Sequence, residues 1–173
     1  MTAIKYRPSV HTDEAYVYRS WIRSFRESPF GRTLTDDAYN LAQQGKMEAI
    51  LDVANVTIVC PDDDPDTIIA FAVHDRTEDD LLLVHYLYVR ELSRHQGVAQ
   101  KLIQQLEPTE PIVFTDITLD FYKLREKHDL PYVTTREYQN LHRAKDFNQA
   151  FQTWFHNQQY KNIEKRKKFH HDR

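Results

Sequence analysis

The sequence predicts one domain with a mixed α/β fold, and three observations support that prediction. Runs rich in β-branched and aromatic residues alternate with segments whose apolar residues recur every three or four positions, as in strands and amphipathic helices. A chain of 173 residues with 40% apolar residues is long enough to bury a substantial core. Gly97, one of three glycines, lies between a strand-like run and a helix-like run.

The sequence of the N-terminal half predicts one strand, two helices and a hairpin. Residues 4–7 form a short strand, and a helix begins near residue 12, with acidic residues in its first turn. A second helix begins after Thr35, and the apolar runs 56–60 and 67–73 flank an aspartate- and proline-rich turn, which favours a hairpin. The first helix carries an apolar stripe of Tyr18, Trp21, Ile22 and Phe25.

The second half predicts three more strands and two helices. A strand covers 81–89, a helix begins near residue 97, and a buried strand covers 111–114. A short helix follows around 121–128, and residues 131–134 form a last short strand. The helix from 97 has an apolar stripe formed by Ala99, Leu102, Ile103 and Leu106.

Charge and composition exclude several classes of protein. The net charge of −3 disfavours a general nucleic-acid binder, and no apolar run is long enough to span a membrane. Cys60 is the only cysteine, so no intramolecular disulfide forms and a cytoplasmic location is expected. The acidic turn at 62–66 lacks the glycine and closing glutamate of a calcium loop, and no zinc-type spacing occurs, so no metal site is expected.

The segment from Arg94 to Ala99 has the layout of a phosphate-binding loop. It follows a strand and opens a helix, where unpaired backbone N–H groups and the helix dipole favour an anion. Gly97 permits close approach of the backbone and unusual dihedral angles. The alternative is that Gly97 merely relieves crowding at a helix start, while Arg94 and His95 are solvated loop residues.

The order of elements, together with the pattern Arg94-x-x-Gly97-x-Ala99, resembles the GNAT superfamily of N-acetyltransferases over about residues 4–134. The resemblance implies a mixed, mostly antiparallel central sheet with helices on both faces. It also implies acetyl-CoA as cosubstrate and transfer of the acetyl group to a primary amine, of a protein or small molecule, by direct attack. The cofactor-binding residues it implies are Leu87, Tyr88 and Val89 for the pantetheine arm and Arg94, His95, Gln96, Gly97, Val98 and Ala99 for the pyrophosphate.

His85 is the candidate general base. An amine with a pKa near ~10.4 is mostly charged at neutral pH, and histidine ordinarily titrates near ~6.5, which suits proton transfer. The family's usual glutamate has no counterpart, since no carboxylate lies between 81 and 90. Strand alternation would place His85 with Leu87 on one face and Val84 with Tyr86 on the other. The alternative is a hydrogen-bonded core histidine.

Tyr122 is the candidate acid for the leaving thiolate. The resemblance assigns a tyrosine to the helix after the fifth strand, and Phe121-Tyr122 matches the family's common Phe-Tyr pair. The alternative is a tyrosine that only packs. Thr115 and Asp116, after the fifth strand, either face the substrate groove or cap the next helix.

Residues 136–173 extend beyond the GNAT-like part of the chain, residues 1–135. The sequence of this extension predicts a helix with an apolar stripe. We expect the stripe to pack on the same domain, to dock on a partner protein or to form a homodimer interface. The basic tail from Lys161 is expected to be solvated, with contact to nucleic acid or an acidic partner as the alternative. The stripe consists of Phe147, Phe151, Trp154 and Phe155.

A second class of function remains open, that of a non-catalytic GNAT-like protein that docks on a host protein or nucleic acid. The missing carboxylate on the fourth predicted strand favours it, whereas the intact loop favours the enzyme. The Ser20-Trp21 pair and the run from His85 to Val89 resemble small GNAT-like proteins encoded by bacteriophages, which would place this chain in a host cytoplasm.

Overall fold

The computed structural model describes residues 3–27, 31–115, 125, 131–143 and 147–171. Strands and helices alternate along this part of the chain in the order that the sequence predicts. The elements are β1 (Ile4–Pro8), α1 (His11–Arg26), α2 (Asp36–Leu51), β2 (Asn55–Pro61), β3 (Ala70–Arg76), β4 (Leu82–Val89), α3 (Val98–Gln105), β5 (Ile112–Phe114), β6 (Tyr132–Thr134), α4 (Thr135–His142) and α5 (Phe147–His171). The helix expected at 121–128 lies outside the described residues apart from position 125.

The strands form one six-stranded sheet in sequential order from β1 to β6. Neighbouring strands are antiparallel from β1 to β4, and the pairs β4–β5 and β5–β6 are parallel. The hairpin predicted from the turn at 62–66 is confirmed, because β2 and β3 pair directly. The predicted mixed, mostly antiparallel sheet is therefore the observed one.

Helices α1 and α2 cover one face of the sheet. Trp21 is fully buried, and its ring stacks on that of Tyr86 from β4, with 5.4 Å between centroids and 5° between planes. Met47 from α2 and Phe71 from β3 belong to the same cluster. The predicted stripe of α1 faces this core, so its 3.6-residue period indicates the buried side correctly.

Helix α3 covers the other face. Leu102 is fully buried and Ile103 is 4% exposed, and Leu102 packs against Ala70 and Ala72 of β3. The two alanines leave room for the helix to lie close to the sheet. This packing fixes the position of the N-terminus of α3, which follows directly from the loop at 94–97.

The C-terminal helices pack against the β5–β6 part of the sheet. Phe151 of α5 is 3% exposed and shares a cluster with Val113, Val133 and Leu141. Trp154 and Phe155 pack against this cluster, whereas the side chain of Phe147 lies outside what the structure describes. Three of the four stripe residues are thus covered by the chain itself. Over the described residues, no helix is both long and apolar enough to cross a membrane.

Candidate functional site

The site lies where strands β4 and β5 part. Strand β4 pairs with β3 at every residue except His85, but with β5 only at Leu83 and Val84. The backbone N–H of Thr115 donates to the carbonyl of Val84 at 3.1 Å just beyond the last paired residues. From His85 to Val89, no pairing on the β5 side occurs among the described residues. The sheet therefore opens along the C-terminal half of β4.

A β-bulge lies at the start of this opening. Val73 pairs with Tyr86 and His74 pairs with Val84, so His85 is the extra residue on β4 with no partner on β3. The bulge breaks the strict alternation expected from the sequence. Val84 and Leu87 pack in the same cluster beside α3, whereas Tyr86 lies on the α1 face, so the expected separation of Val84 from Leu87 is wrong.

The bulge places the His85 ring between two polar side chains. Its Nδ1 lies 3.2 Å from Oγ1 of Thr115, and its Nε2 lies 3.9 Å from a carboxylate oxygen of Asp75. His85 is 9% exposed, and the Asp75 side chain is 33% exposed. The carboxylate that β4 lacks is therefore supplied by β3. An imidazole between a hydroxyl and a carboxylate can take up a proton and hold the resulting charge.

Burial keeps a second histidine neutral beside this group. His74 precedes Asp75, and its Nε2 lies 2.9 Å from Oγ1 of Thr57. The pKa of His74 is lowered, mainly because burial disfavours the charged ring. Near neutral pH, the uncharged His74 ring therefore does not compete with His85 for an ion pair with the Asp75 carboxylate.

The loop from Arg94 to Gly97 leads from the open end of β4 into α3. Gly97 is the residue before the helix and has the left-handed conformation, φ 76°, while His95 has φ 63°. Both positions lie in a region that residues other than glycine rarely adopt. The loop residues 94–97 are exposed, and they lead into the first turn of α3, whose amides have no partner within the helix.

Two hydrogen bonds hold this loop in shape. The Nε of Arg94 donates to the carbonyl of Val89 at 3.1 Å, and the side-chain amide of Gln96 donates to the carbonyl of Leu92 at 3.0 Å. The first bond ties the loop to the end of β4. The Arg94 guanidinium thus adds positive charge to the loop that leads into α3. This charge would attract an anion.

The phenol of Tyr86 anchors β4 to α1. Its hydroxyl donates to Oγ of Ser24 at 2.6 Å, and the carbonyl of Ser20 lies 3.1 Å away. Burial raises the pKa of Tyr86 well above its ordinary value, so it stays protonated. The stack on Trp21 and these bonds fix β4 to α1 directly after the bulge.

The predicted site residues fall into three groups. The structure places His85 and the open edge from Leu87 to Val89 on β4, and places the loop from Arg94 to Ala99 beyond the end of that strand. Thr115 contacts His85. Tyr122 and Asp116 lie outside the described residues, so their roles remain predictions.

Asp75 is the residue that the sequence did not indicate. It lies ten positions before His85, in a different strand, and no short motif contains both. Only the pairing of β3 with β4, together with the bulge, brings the two side chains together. The sequence signal was that an apolar run, Ala70 to Val73, continues as a strand through the polar residues His74, Asp75 and Arg76.

Comparison with known proteins found similar proteins among the solved structures alone. No protein-family model matches the chain, and no curated protein matches it. A GNAT-family acetyltransferase from Staphylococcus aureus Mu50 is similar, with a TM-score of 0.40, 12% identity, and coverage of 60% of this chain and 62% of that one. The chain thus matches less than two thirds of the staphylococcal protein.

Two further structures are similar at the same level. A ribosomal-protein-alanine N-acetyltransferase from Brucella melitensis has a TM-score of 0.47 and 21% identity, over 73% of this chain and 90% of that one. AAC(6')-Iy, solved with the bisubstrate analogue CoA-S-monomethyl-acetylneamine, has a TM-score of 0.38 and 20% identity, over 61% of this chain and 70% of that one.

The element order and the sheet topology agree with the fold class that the sequence predicts. The structure has the mixed, mostly antiparallel sheet with helices on both faces that the resemblance to GNAT proteins implies. One fold supports many reactions, so the cosubstrate, the acceptor and the chemistry must be argued from the site itself.

Proposed function

We propose that this protein is an N-acetyltransferase that uses acetyl-CoA and acetylates a primary amine by direct attack. The observation that supports the proposal best is the opening between β4 and β5, which leads straight to the loop from Arg94 to Gly97. An exposed strand edge and a helix N-terminus thus follow one another along one path. A long ligand with an amide-bearing arm and a phosphate end has both kinds of partner there.

The residues at this path fit acetyl-CoA. The amides at the start of α3 suit a pyrophosphate, because they are unpaired within the helix and the dipole favours negative charge. A Cβ placed on Gly97 would meet no atom within 4 Å, so the space above the loop is open. The edge from Leu87 to Val89 has no strand partner on the β5 side, so apart from the Val89 carbonyl, which accepts from Arg94, it offers backbone groups to the amides of a pantetheine arm. When bound, the thioester supplies an activated acetyl group.

His85 is the proposed acceptor of the amine's proton. It lies at the bulge where the strands begin to part, two residues before the strand edge proposed to hold the pantetheine arm. Asp75 at 3.9 Å stabilises the imidazolium that forms. Positioned acid–base groups of this kind contribute about 10²–10⁴-fold to rates. Strand β4 has no carboxylate, which favoured a non-catalytic binding protein, but Asp75 of β3 supplies one beside His85 and supports the enzyme.

Two measurements test the proposal. Acetyl-CoA at millimolar concentration should raise the thermal midpoint, because a ligand that binds only the native state stabilises it. Thiol release should then follow with at least one member of an amine panel of lysine peptides, polyamines and aminoglycosides. No shift in the midpoint would contradict the acetyl-CoA site. A shift with no thiol release from any amine would favour the binding protein.

The variant His85→Ala separates catalysis from binding. We expect kcat to fall by about 100-fold or more, with little change in the Kd for acetyl-CoA, since His85 contacts Thr115 and Asp75 rather than the loop at 94–97. His156→Ala, on α5, is the matched control and should leave kcat unchanged. Equal loss of affinity and turnover, or no loss, would reject the role of His85.

A further inference from the structure

We infer that the proton leaves the acceptor amine through Thr115, so that Thr115, His85 and Asp75 form a relay in which the threonine hydroxyl touches the amine and the histidine receives the proton. This inference rests on the proposed function and specifies the route of the amine's proton to His85, which the proposed function leaves open. The observation behind this inference is the position of the His85 ring at the bulge. The ring lies between the hydroxyl of Thr115, directly after β5, and the carboxylate of Asp75 on β3.

The orientation of the ring sets the direction of the relay. The Asp75 carboxylate is only a hydrogen-bond acceptor, so its charge, 3.9 Å from Nε2, favours the proton on that nitrogen. Nδ1 is then the unprotonated nitrogen and faces Oγ1 of Thr115 at 3.2 Å. The Thr115 hydroxyl therefore donates to His85. With Nε2 protonated and Nδ1 facing the hydroxyl, the proton of an amine reaches the ring through Thr115.

Thr115 is at the right place to face the amine. Among the described residues, its backbone N–H makes the last bond between β5 and β4 before the strands part, so Thr115 lies at the closed end of the opening. It is half-buried, which leaves part of the residue accessible, whereas His85 is only 9% exposed. Of the two residues, Thr115 is the more exposed and His85 the more deeply buried.

The proton balance closes within the relay. As the amine nitrogen forms its bond to the acetyl carbon, the nitrogen loses a proton to Oγ1 of Thr115, whose own proton passes to Nδ1 of His85. The imidazolium is stabilised by Asp75. The carbon–sulfur bond breaks, and the proton returns by the same hydroxyl to the departing thiolate. A neutral amine and a thioester thus give an amide and a thiol, with Thr115 and His85 restored.

Asp75 acts through His85 and is a positioning residue. A further titratable group beside the ring is His74, also on β3, whose lowered pKa keeps it neutral near pH 7. Replacing Asp75 by Asn removes the charge that stabilises the imidazolium. We expect the acidic limb of the pH profile of kcat to move to lower pH and kcat to fall. Glu78→Gln, an exposed carboxylate in the turn after β3, is the matched control and should move neither.

The first test reads the ring directly in the protein without ligand. Long-range ¹H–¹⁵N NMR distinguishes the two neutral tautomers, and the spectrum of His85→Gln identifies the signals that belong to His85. The relay requires the proton on Nε2 in the wild type. A proton on Nδ1 would make Thr115 the acceptor and would overturn the relay alone, because the acetyl-CoA site does not depend on this tautomer.

The second test compares Thr115→Val with Thr115→Ser, using acetyl-CoA and the amine panel. We expect valine to lower kcat by about 100-fold and serine to keep it within about 10-fold, while the increase in thermal midpoint on adding acetyl-CoA persists in both. Turnover retained by the valine variant would overturn the relay and leave the proposed function intact. No increase in midpoint with the wild type would overturn the proposed function, and the relay with it.

Discussion

At Gly97, the effect of backbone strain on stability can be measured without an effect of crowding. Its φ of 76° is one that L-residues rarely adopt, yet a Cβ at this position would meet nothing within 4 Å. Gly97→Ala should therefore lower the free energy of unfolding by about 1–2 kcal/mol through the backbone alone. Chemical denaturation measures this directly.

Gly45 provides the matched control for this substitution. It lies inside α2, and a Cβ placed on it would likewise meet no atom within 4 Å. Because glycine weakens a helix interior, Gly45→Ala should raise the free energy of unfolding by about 0.5–1 kcal/mol. Opposite signs for the two substitutions are expected. A neutral or stabilising Gly97→Ala would contradict the described loop conformation.

Asp13 joins the start of α1 to β1. Its carboxylate accepts two hydrogen bonds from Arg7, at 2.6 and 3.0 Å, and a third from the backbone N–H of Val10 at 2.8 Å. Arg7 also donates to the carbonyl of Pro65 in the hairpin turn. The hydrogen bonds from Arg7 are the main reason that the pKa of Asp13 lies below its ordinary value, with the Val10 bond adding to the effect.

The lowered pKa of Asp13 predicts a pH-dependent contribution to stability. A carboxyl group whose folded pKa is below its unfolded value stabilises the protein above the unfolded value, and this stabilisation is lost as pH falls through the folded value. Asp13→Asn should thus cost about 2 kcal/mol at pH 7 and less below about pH 3. Urea denaturation at both pH values measures the difference. Glu14→Gln, in the same helical turn, should show no comparable loss, and a pH-independent cost for Asp13→Asn would reject the ion pair.

At the scale of elements, β4 shows where sequence reasoning succeeds and where it stops. Its apolar run predicted the strand, because hydrophobic content and β-propensity are local properties. The bulge at His85 was not predicted, since it depends on the register between β3 and β4 and leaves no local pattern. The contact between Asp75 and His85 follows from that register, so the sequence indicated the histidine but not its partner.

Helix α5 contributes a buried aromatic residue to the core. Phe151 is 3% exposed among Leu81, Val113, Val133 and Leu141. Phe151→Ala should lower the free energy of unfolding by about 3–5 kcal/mol, through lost burial and the cavity left behind. Tyr160→Ala, at a side chain 57% exposed on the same helix, should cost less than about 0.5 kcal/mol. Similar small effects for both would show that α5 does not stabilise the sheet.

For the whole molecule, the sequence predicted the order of elements and a glycine-containing loop that opens a helix, and both are observed over the described residues. Periodicity and the position of one glycine were sufficient, because each is a local signal. The opening between β4 and β5 arises because β4 pairs with β3 at every residue except His85 but at only two residues with β5, which no local pattern encodes. The resemblance to GNAT proteins implied only that Leu87 to Val89 hold a pantetheine arm, and the opening itself is seen first in the structure.

In the proposed complex, acetyl-CoA lies along the open edge of β4 with its phosphates at the start of α3. Backbone amide NMR on addition of acetyl-CoA tests this most directly. The amides of residues 96–99 and 87–89 should shift most, and Gly97→Ala should weaken the response. No shift at millimolar acetyl-CoA, or shifts confined to other parts of the sheet, would contradict the account.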